Sequence, residues 1–270
     1  MQLSRSSYYE YLKQHQRKCL EDELEEAVKS AFWRHKRRYG TRRLVDELAD
    51  EGYFIGRKRI SSILRRNGLQ AIQPKSFVPK TTQTHPHLRR KPNLLLDREI
   101  VSRCNEVWVG DITYLPLQEG KWAYLAIWLD IFSRYIVGWE IKNHMEESLV
   151  IDAFEKAASN RQPPKGLIVH SDGGGQYGGN KFSQRLLDYQ FKQSMTRKDN
   201  HYDNAFAESL FSRLKAELLD GGAFLNIEDA RMECFDYIEC YYNPIRKHSS
   251  IGYKSPLQFE IACGYRKDNL

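Results

Sequence analysis

The chain has 270 residues, a net charge of +7, a pI near 9.0, and 41% hydrophobic and 12% aromatic residues, enough for a packed core and too apolar for a wholly disordered polymer. Its five cysteines form no C-x-x-C pair, which argues against a disulfide framework and against a cysteine zinc site and fits a reducing cytoplasm. No signal peptide is visible, and the most apolar stretch, Trp122 to Phe132, is short and carries Asp130, so no membrane span is expected.

The charge is unevenly spread. Residues 1–100 hold 22 Lys and Arg against 12 Asp and Glu, whereas residues 101–270 hold 20 against 23. A polyanion such as DNA would be drawn to the N-terminal part. Three helices are predicted there. The first runs from Leu20 to Lys36. Thr41 caps the second, with Leu44, Val45 and Leu48 on its apolar face, and Gly52 ends it. The third runs from Arg57 to about Asn67, with Ile60, Ile63 and Leu64 inward and Gly68 as C-cap. Its outer face carries Arg57, Lys58, Arg59, Arg65 and Arg66, the candidate DNA contacts. Two short helices joined at a glycine, the second basic, have the grammar of a helix-turn-helix.

Four of the nine prolines (74, 79, 86, 92) fall in a basic, linker-like stretch. His85 and His87 lie in it without a partner acid or cysteine and read as solvated. The expected division is a helical DNA-binding domain at 1–72, a linker at 73–101 and a catalytic core with a helical extension at 102–265.

From 105 onward the pattern changes. Val107–Leu117, Trp122–Ile131 and Tyr135–Lys142 read as an antiparallel meander. A helix (Glu146–Ser159), a strand (Gly166–His170), a helix (Asn180–Tyr189), a strand (Phe191–Met195) and helices Asn204–Leu219 and Ile227–Tyr242 follow. The fold class is α/β. Order βββαβαβα is that of the ribonuclease-H-like fold, a mixed five-stranded sheet with flanking helices, here preceded by a small all-α helix-turn-helix-like domain.

Three acids stand out in this frame. Asp111 interrupts a buried strand; Asp172 ends another and enters a glycine-rich turn; Glu208 borders the apolar stripe Ala207, Phe211, Leu214 and Leu218 of a helix. Carried by two strands and a helix, they can converge at one end of a sheet and hold two Mg²⁺ (or Mn²⁺) ions for phosphoryl transfer. An unpaired acid among Val109, Ile112 and Tyr114 would otherwise be costly. Asp172 has a rival reading as a turn residue, since Asp-Gly is a turn dipeptide. Lys215 lies two turns beyond Glu208 on about the same face; the pair fits a metal ligand with a lysine reaching DNA, while from this helix alone a surface Glu beside a surface Lys is the simpler reading.

Several motifs together resemble one family. They are Trp108-Val109-Gly110-Asp111-Ile112-Thr113-Tyr114, His170-Ser171-Asp172 with Gly174, Gln176 and Tyr177, and Tyr202-Asp203-Asn204-Ala205 with Ala207-Glu208-Ser209 and Leu214-Lys215. The tail Tyr242-Asn243, Arg246, His248 and Gly252-Tyr253-Lys254-Ser255-Pro256 and the opening Ser4-Arg5-Ser6-Ser7-Tyr8-Tyr9 fit too. The chain resembles the second-reading-frame (OrfB-type) transposases of two-frame bacterial insertion sequences, whose core is shared with retroviral integrases. That resemblance implies that Asp111, Asp172 and Glu208 are a DDE triad and that Lys215 contacts DNA. It implies cleavage at element ends, 3′-OH strand transfer, an oligomer on double-stranded DNA, and fusion to the upstream-frame product by frameshifting. Asp203, near Glu208, is a rival ligand, but it precedes the helix and is assigned a capping role. The expected setting is the cytoplasm, on the nucleoid. Gly173 departs from the family, which commonly has Arg after the second Asp. Alternatives are a nuclease of the same fold without strand transfer and a non-catalytic DNA-binding regulator.

Overall fold

The computed structural model describes residues 4–73, 91–96, 101–197, 205–220 and 222–267, with the side chains of 205–207 left out. The chain divides into two compact units, Met1–Gln73 and Pro74–Leu270. Most of the predicted linker, with His85 and His87, lies outside the described residues, as does Asp203.

The first unit is three helices: α1 (Arg5–Arg34), α2 (Thr41–Asp50) and α3 (Arg57–Arg66). Ser4 caps α1 by accepting from the Ser7 amide at 3.2 Å. Starting there, α1 is far longer than the predicted Leu20–Lys36. Apolar periodicity reveals only the part that packs, and its buried residues, Val28, Ala31 and Phe32, all lie in the last third. They meet Leu44 and Leu48 of α2 and Ile60, Ile63 and Leu64 of α3 in a small core. Gly52 and Gly68 have φ of +88° and +65°, the left-handed conformation that ends α2 and α3 at little cost.

The second unit is built on one five-stranded sheet: β1 (Val107–Pro116), β2 (Trp122–Asp130), β3 (Ile136–Lys142), β4 (Ile168–Ser171) and β5 (Lys192–Met195). Its order is β3-β2-β1-β4-β5. β1, β2 and β3 form the antiparallel meander, and β4 and β5 add in parallel. The connection from β3 to β4, which pairs with β1, runs through α4 (Glu147–Arg161), and the β4–β5 crossover through α5 (Asn180–Asp188). Trp108, Trp128, Phe154, Tyr177 and Phe182 pack one face of the sheet against these helices. Close approach fixes two glycines. A Cβ on Gly110 would lie 2.3 Å from the Trp128 ring, and one on Gly138 2.4 Å from the Ala153 carbonyl of α4.

The opposite face carries Val107, Val109 and Ile168. Leu94 and Leu95, inside the predicted linker, pack there too, and the Leu94 amide donates to Ser194 Oγ at 2.9 Å. This part of the stretch is therefore held on the core, because Leu94 and Leu95 supply apolar surface that the prolines around them do not. Helices α6 (Ala205–Leu219), α7 (Ile227–Phe235) and α8 (Pro256–Ala262) complete the unit. The predicted helix Ile227–Tyr242 is α7 continued by a π-helical stretch, Asp236–Tyr242. Helix α8 begins with a capping box between Ser255 and Gln258 and Pro256 in its first turn.

Candidate active site

Asp111 sits in the middle of β1, where alternation places it on the same face as Val107 and Val109. The parallel ladder between β1 and β4 pairs Val109 with His170 and Gly110 with Ser171. Asp111 is the next residue on β1, and Asp172 follows directly on the end of β4, so parallel register brings the two acids towards each other. His170 beneath them is fully buried, with Nδ1 2.8 Å from Ser194 Oγ, which ties β4 to β5 just before the acid.

Each carboxylate is aimed by a local amide. Asp111 Oδ1 accepts from the Ile112 amide at 2.8 Å, and Asp172 Oδ1 from the Gly174 amide at 3.0 Å. The second contact explains Gly174, where a Cβ would lie 2.9 Å from Asp172 Oδ1. Gln176 holds the turn from the far side by donating to the Met145 carbonyl at 3.0 Å. The turn reading of Asp172 thus has a direct contact behind it: Oδ1 organises the loop through the Gly174 amide.

Glu208 arrives on α6. Leu210, Phe211 and Leu214 are buried and pack this helix on β1. Glu208 is exposed and Lys215 half-buried. Seven residues are about two turns, so both lie on one flank of the apolar stripe. Their charges reach Asp111. Burial first, then the Asp172 and Glu208 charges, push the Asp111 carboxyl up to about 8, against the pull of the Ile112 amide and the Lys215 ammonium. Burial lowers the Lys215 ammonium, and Asp111 partly restores it. Asp172, Glu208 and Lys215 thus all lie within electrostatic reach of Asp111. Tyr177 lies beneath the site, its phenol raised by burial and by the charges of Asp111 and Asp172.

Three hard carboxylates in a partly buried cluster fit a divalent cation. Burial beside two like charges makes ionisation of Asp111 unfavourable until a positive charge enters. Among the described residues, the one set of three ligating side chains within 4.8 Å of one another lies elsewhere: Cys104, Asp130 and Glu260. Its valences are already filled. Glu260 takes Arg161 through both oxygens at 2.7 Å, and Asp130 accepts from the amides of Asn105, Phe132 and Ser133. The Cys104 thiol is pushed up to about 12 by burial and by Glu260 and Asp130, so it is no thiolate ligand.

The Asp111 shift has a stability consequence. In metal-free protein the folded state keeps a proton on Asp111 that the unfolded chain releases at a much lower pH. Stability from this group is therefore full below about pH 4 and lost as pH rises towards 8. With chelator present, Asp111→Asn is expected to be no less stable than the parent at pH 5 and more stable by at least about 1 kcal/mol at pH 9. Urea melts at the two pH values check this; an equal difference at both would refute the protonation argument.

On α3 the basic face is narrower than the sequence suggests. Arg59 pairs with Glu21 at 2.7 Å and Arg66 with Glu25 at 2.9 Å, both acids of α1. The Asn67 side chain donates to Glu25 as well. Two of the five candidate contacts thus tie α3 to α1. Arg57, Lys58 and Arg65 stay exposed on the other flank.

Sequence reasoning missed the surroundings of α6. Glu217 is buried and takes Arg246 in a two-pronged pair, and Asn243 bonds the backbone of Ile136 at both its amide and its carbonyl. Arg246 and Asn243 were visible as parts of the family tail, but no local pattern marks Glu217 as their partner.

The chain matches the family described as "Integrase core domain" over residues 101–201 and another of the same description over 189–256. It matches an "HTH-like domain" over residues 20–77. It is 40% identical over 237 residues to the transposase for insertion sequence element IS904 of Lactococcus lactis, covering 88% of this chain and 93% of that one. It is 39% identical over 264 residues to transposase InsF for insertion sequence IS3A of Escherichia coli, covering 96% and 91%. Among solved structures, a chain of the simian T-cell lymphotropic virus intasome aligns with a TM-score of 0.48 at 17% identity, over 86% of this chain and 73% of that one. The HTLV-2 integrase catalytic core domain in complex with magnesium aligns with a TM-score of 0.44 at 20% identity, over 58% and 96%. On the two transposases, each spanning most of both chains, this chain belongs to the insertion-sequence transposase family, with an HTH-like domain ahead of a ribonuclease-H-like integrase core.

Proposed function

We propose that the protein cuts DNA at the ends of an insertion element and joins the freed 3′-OH to target DNA, using Asp111, Asp172 and Glu208 to hold two Mg²⁺ or Mn²⁺ ions. The observation that carries this reading is the meeting of three acids from β1, the turn that follows β4, and α6, close enough for two to act on the third. When bound, such ions supply the charge that makes an attacking oxygen nucleophilic and stabilises the leaving one. Asp111 is the natural shared ligand, because β1 is held by β2 and β4 on its two sides and leaves its side chain little freedom. Gly174 keeps Asp172 pointed at the site, and Lys215 offers a cation for a phosphate beside Glu208. No side-chain nucleophile is required, since water and then the 3′-OH attack phosphorus directly. A labelled element end incubated with Mg²⁺ and plasmid tests the reading. Nicking followed by joined product supports it, nicking alone favours the nuclease, and binding without nicking favours the regulator.

The reading also assigns DNA contact to Arg57, Lys58 and Arg65, and sequence-independent binding on duplex DNA to the first unit as a whole, with Arg59 and Arg66 acting from the α1 side. We expect residues 1–73 alone to fold and bind duplex DNA with affinity that falls at least about tenfold between 50 and 200 mM salt. Alanine at Arg57, Lys58 and Arg65 should weaken binding more than alanine at Arg59 and Arg66. Fluorescence anisotropy across a salt series checks both; a flat series would remove the phosphate contacts. The proposal includes an oligomer that pairs two element ends and fusion to the upstream-frame product. It also places the protein in the cytoplasm, on the nucleoid. Among the described residues, no helix is long and apolar enough to cross a membrane. Footprinting of the chain with and without the fused upstream product tests the fusion: protection of the ends by the chain alone would make it unnecessary.

A further inference from the structure

Helix α6 is gripped on the side away from its catalytic flank. Glu217 lies nine residues beyond Glu208, about two and a half turns, so the two project from nearly opposite sides of the helix. Between them runs the buried stripe of Leu210, Phe211 and Leu214. Such a stripe holds a helix down but resists rotation about its axis weakly, because apolar contact has no preferred direction. Glu217 supplies what the stripe lacks. Arg246 Nε donates to Glu217 Oε2 at 2.8 Å and Nη2 to Oε1 at 2.6 Å, and the Tyr237 hydroxyl donates to Oε2 at 2.8 Å. Both charged side chains are almost wholly buried, at 2% and 3% exposure. Arg246 is itself held, with His248 Nε2 3.1 Å from Nη1 and the Tyr242 ring 5.6 Å from its guanidinium carbon.

The grip refers back to the sheet. Asn243, three residues before Arg246, accepts from the Ile136 amide at 2.9 Å and donates to the Ile136 carbonyl at 3.1 Å. Ile136 opens β3. A chain of directional bonds thus runs from β3 through Asn243 and Arg246 to Glu217, while β3 connects through β2 to the strand that carries Asp111. A second tether follows α6: the Phe224 amide donates to the Pro116 carbonyl at 3.0 Å, and the Gln118 amide to the Phe224 carbonyl at 2.8 Å.

We infer that Arg246 and Glu217 are positioning residues for metal binding: they set the rotation of α6 and so decide whether Glu208 reaches the ions shared with Asp111. The inference rests on the three-acid reading above. A carboxylate about 6 Å from the helix axis moves about 2 Å on a 20° turn, enough to lose a ligand whose tolerance is a few tenths of an ångström. A buried ion pair is a poor way to gain stability, since apolar residues of similar size often do as well, but a two-pronged pair has a direction and they do not.

The test is a cycle on the full chain. Glu217→Leu with Arg246→Met replaces the pair by apolar side chains of similar volume. It is combined with Glu208→Gln, and Mn²⁺ affinity is measured by electron paramagnetic resonance in all four proteins. We expect the paired change to weaken Mn²⁺ binding about tenfold when Glu208 is present and less than twofold when it is Gln. Equal weakening in both backgrounds, or none with Glu208 present, would overturn the inference and leave the pair as packing. If Glu208→Gln alone leaves Mn²⁺ affinity unchanged, the three-acid reading fails and the inference fails with it, a pattern distinct from the other two. Should the paired variant not fold, Arg246→Lys goes through the same cycle: it keeps the charge and loses the fork.

Discussion

Asp111→Asn, Asp172→Asn and Glu208→Gln should each lower Mg²⁺-dependent cleavage of an element end by at least about 1000-fold while changing duplex affinity less than about threefold. The two outcomes separate because they belong to different units. Binding is assigned to the basic helices of Met1–Gln73, and cleavage to acids carried by β1, the turn that follows β4, and α6. Asn and Gln keep the size of the side chain and one carbonyl oxygen but remove the charge a divalent ion needs. Asp111 should tolerate the change best in folding and worst in activity, because its ionised form is the one disfavoured by burial. A single-turnover gel assay beside a filter-binding titration measures both. A variant that keeps a tenth of the parent rate would take its residue out of the triad.

Glu260→Gln should cost about 3–5 kcal/mol of stability, the price of leaving a buried guanidinium without its partner. Glu260 binds Arg161 at both oxygens, receives the Ser133 hydroxyl at 2.7 Å, and meets Arg266 at 2.9 Å. Arg161 ends α4 and Glu260 lies in α8, so this pair joins the crossover helix to the last helix. Arg161 Nε also donates to Asn105 Oδ1 at 3.2 Å, and its guanidinium lies 4.5 Å from the centre of the Tyr265 ring. Removing one member therefore strands several groups at once. Urea unfolding followed by tryptophan fluorescence reads the loss, and a change under 1 kcal/mol would show that the pocket takes in water and re-solvates Arg161.

Much of this was open to reading from the residues. Alternation and β-branching placed β1, β2 and β3 within a residue or two of their ends. Asp111 stood out because it interrupts an apolar strand where burial would otherwise be costly, whereas Glu208, which only borders an apolar stripe, was singled out by the family motif around it. α1 was half legible, since its exposed first turns carry no periodicity to detect. The division of the α3 cations was hidden for a different reason. Whether Arg59 or Lys58 meets an acid depends on where α1 crosses α3, and crossing geometry is not written in either helix. The same holds for Glu217. On its own helix it is one acid among several, and only a segment almost thirty residues later makes it a buried partner. α8 has a capping signature in Ser255, Pro256 and Gln258 that sequence reading left unused.

The parallel pairing of β1 with β4 has one more implication. Asp111 and Asp172 become neighbours only when the crossover through α4 has closed, and Glu208 joins them only when α6 has docked. By then the ribosome has long since finished the basic helices of the first unit. A growing chain thus completes its HTH-like unit before the three acids of the core are able to meet, so the two halves of the proposed function arise in a fixed order.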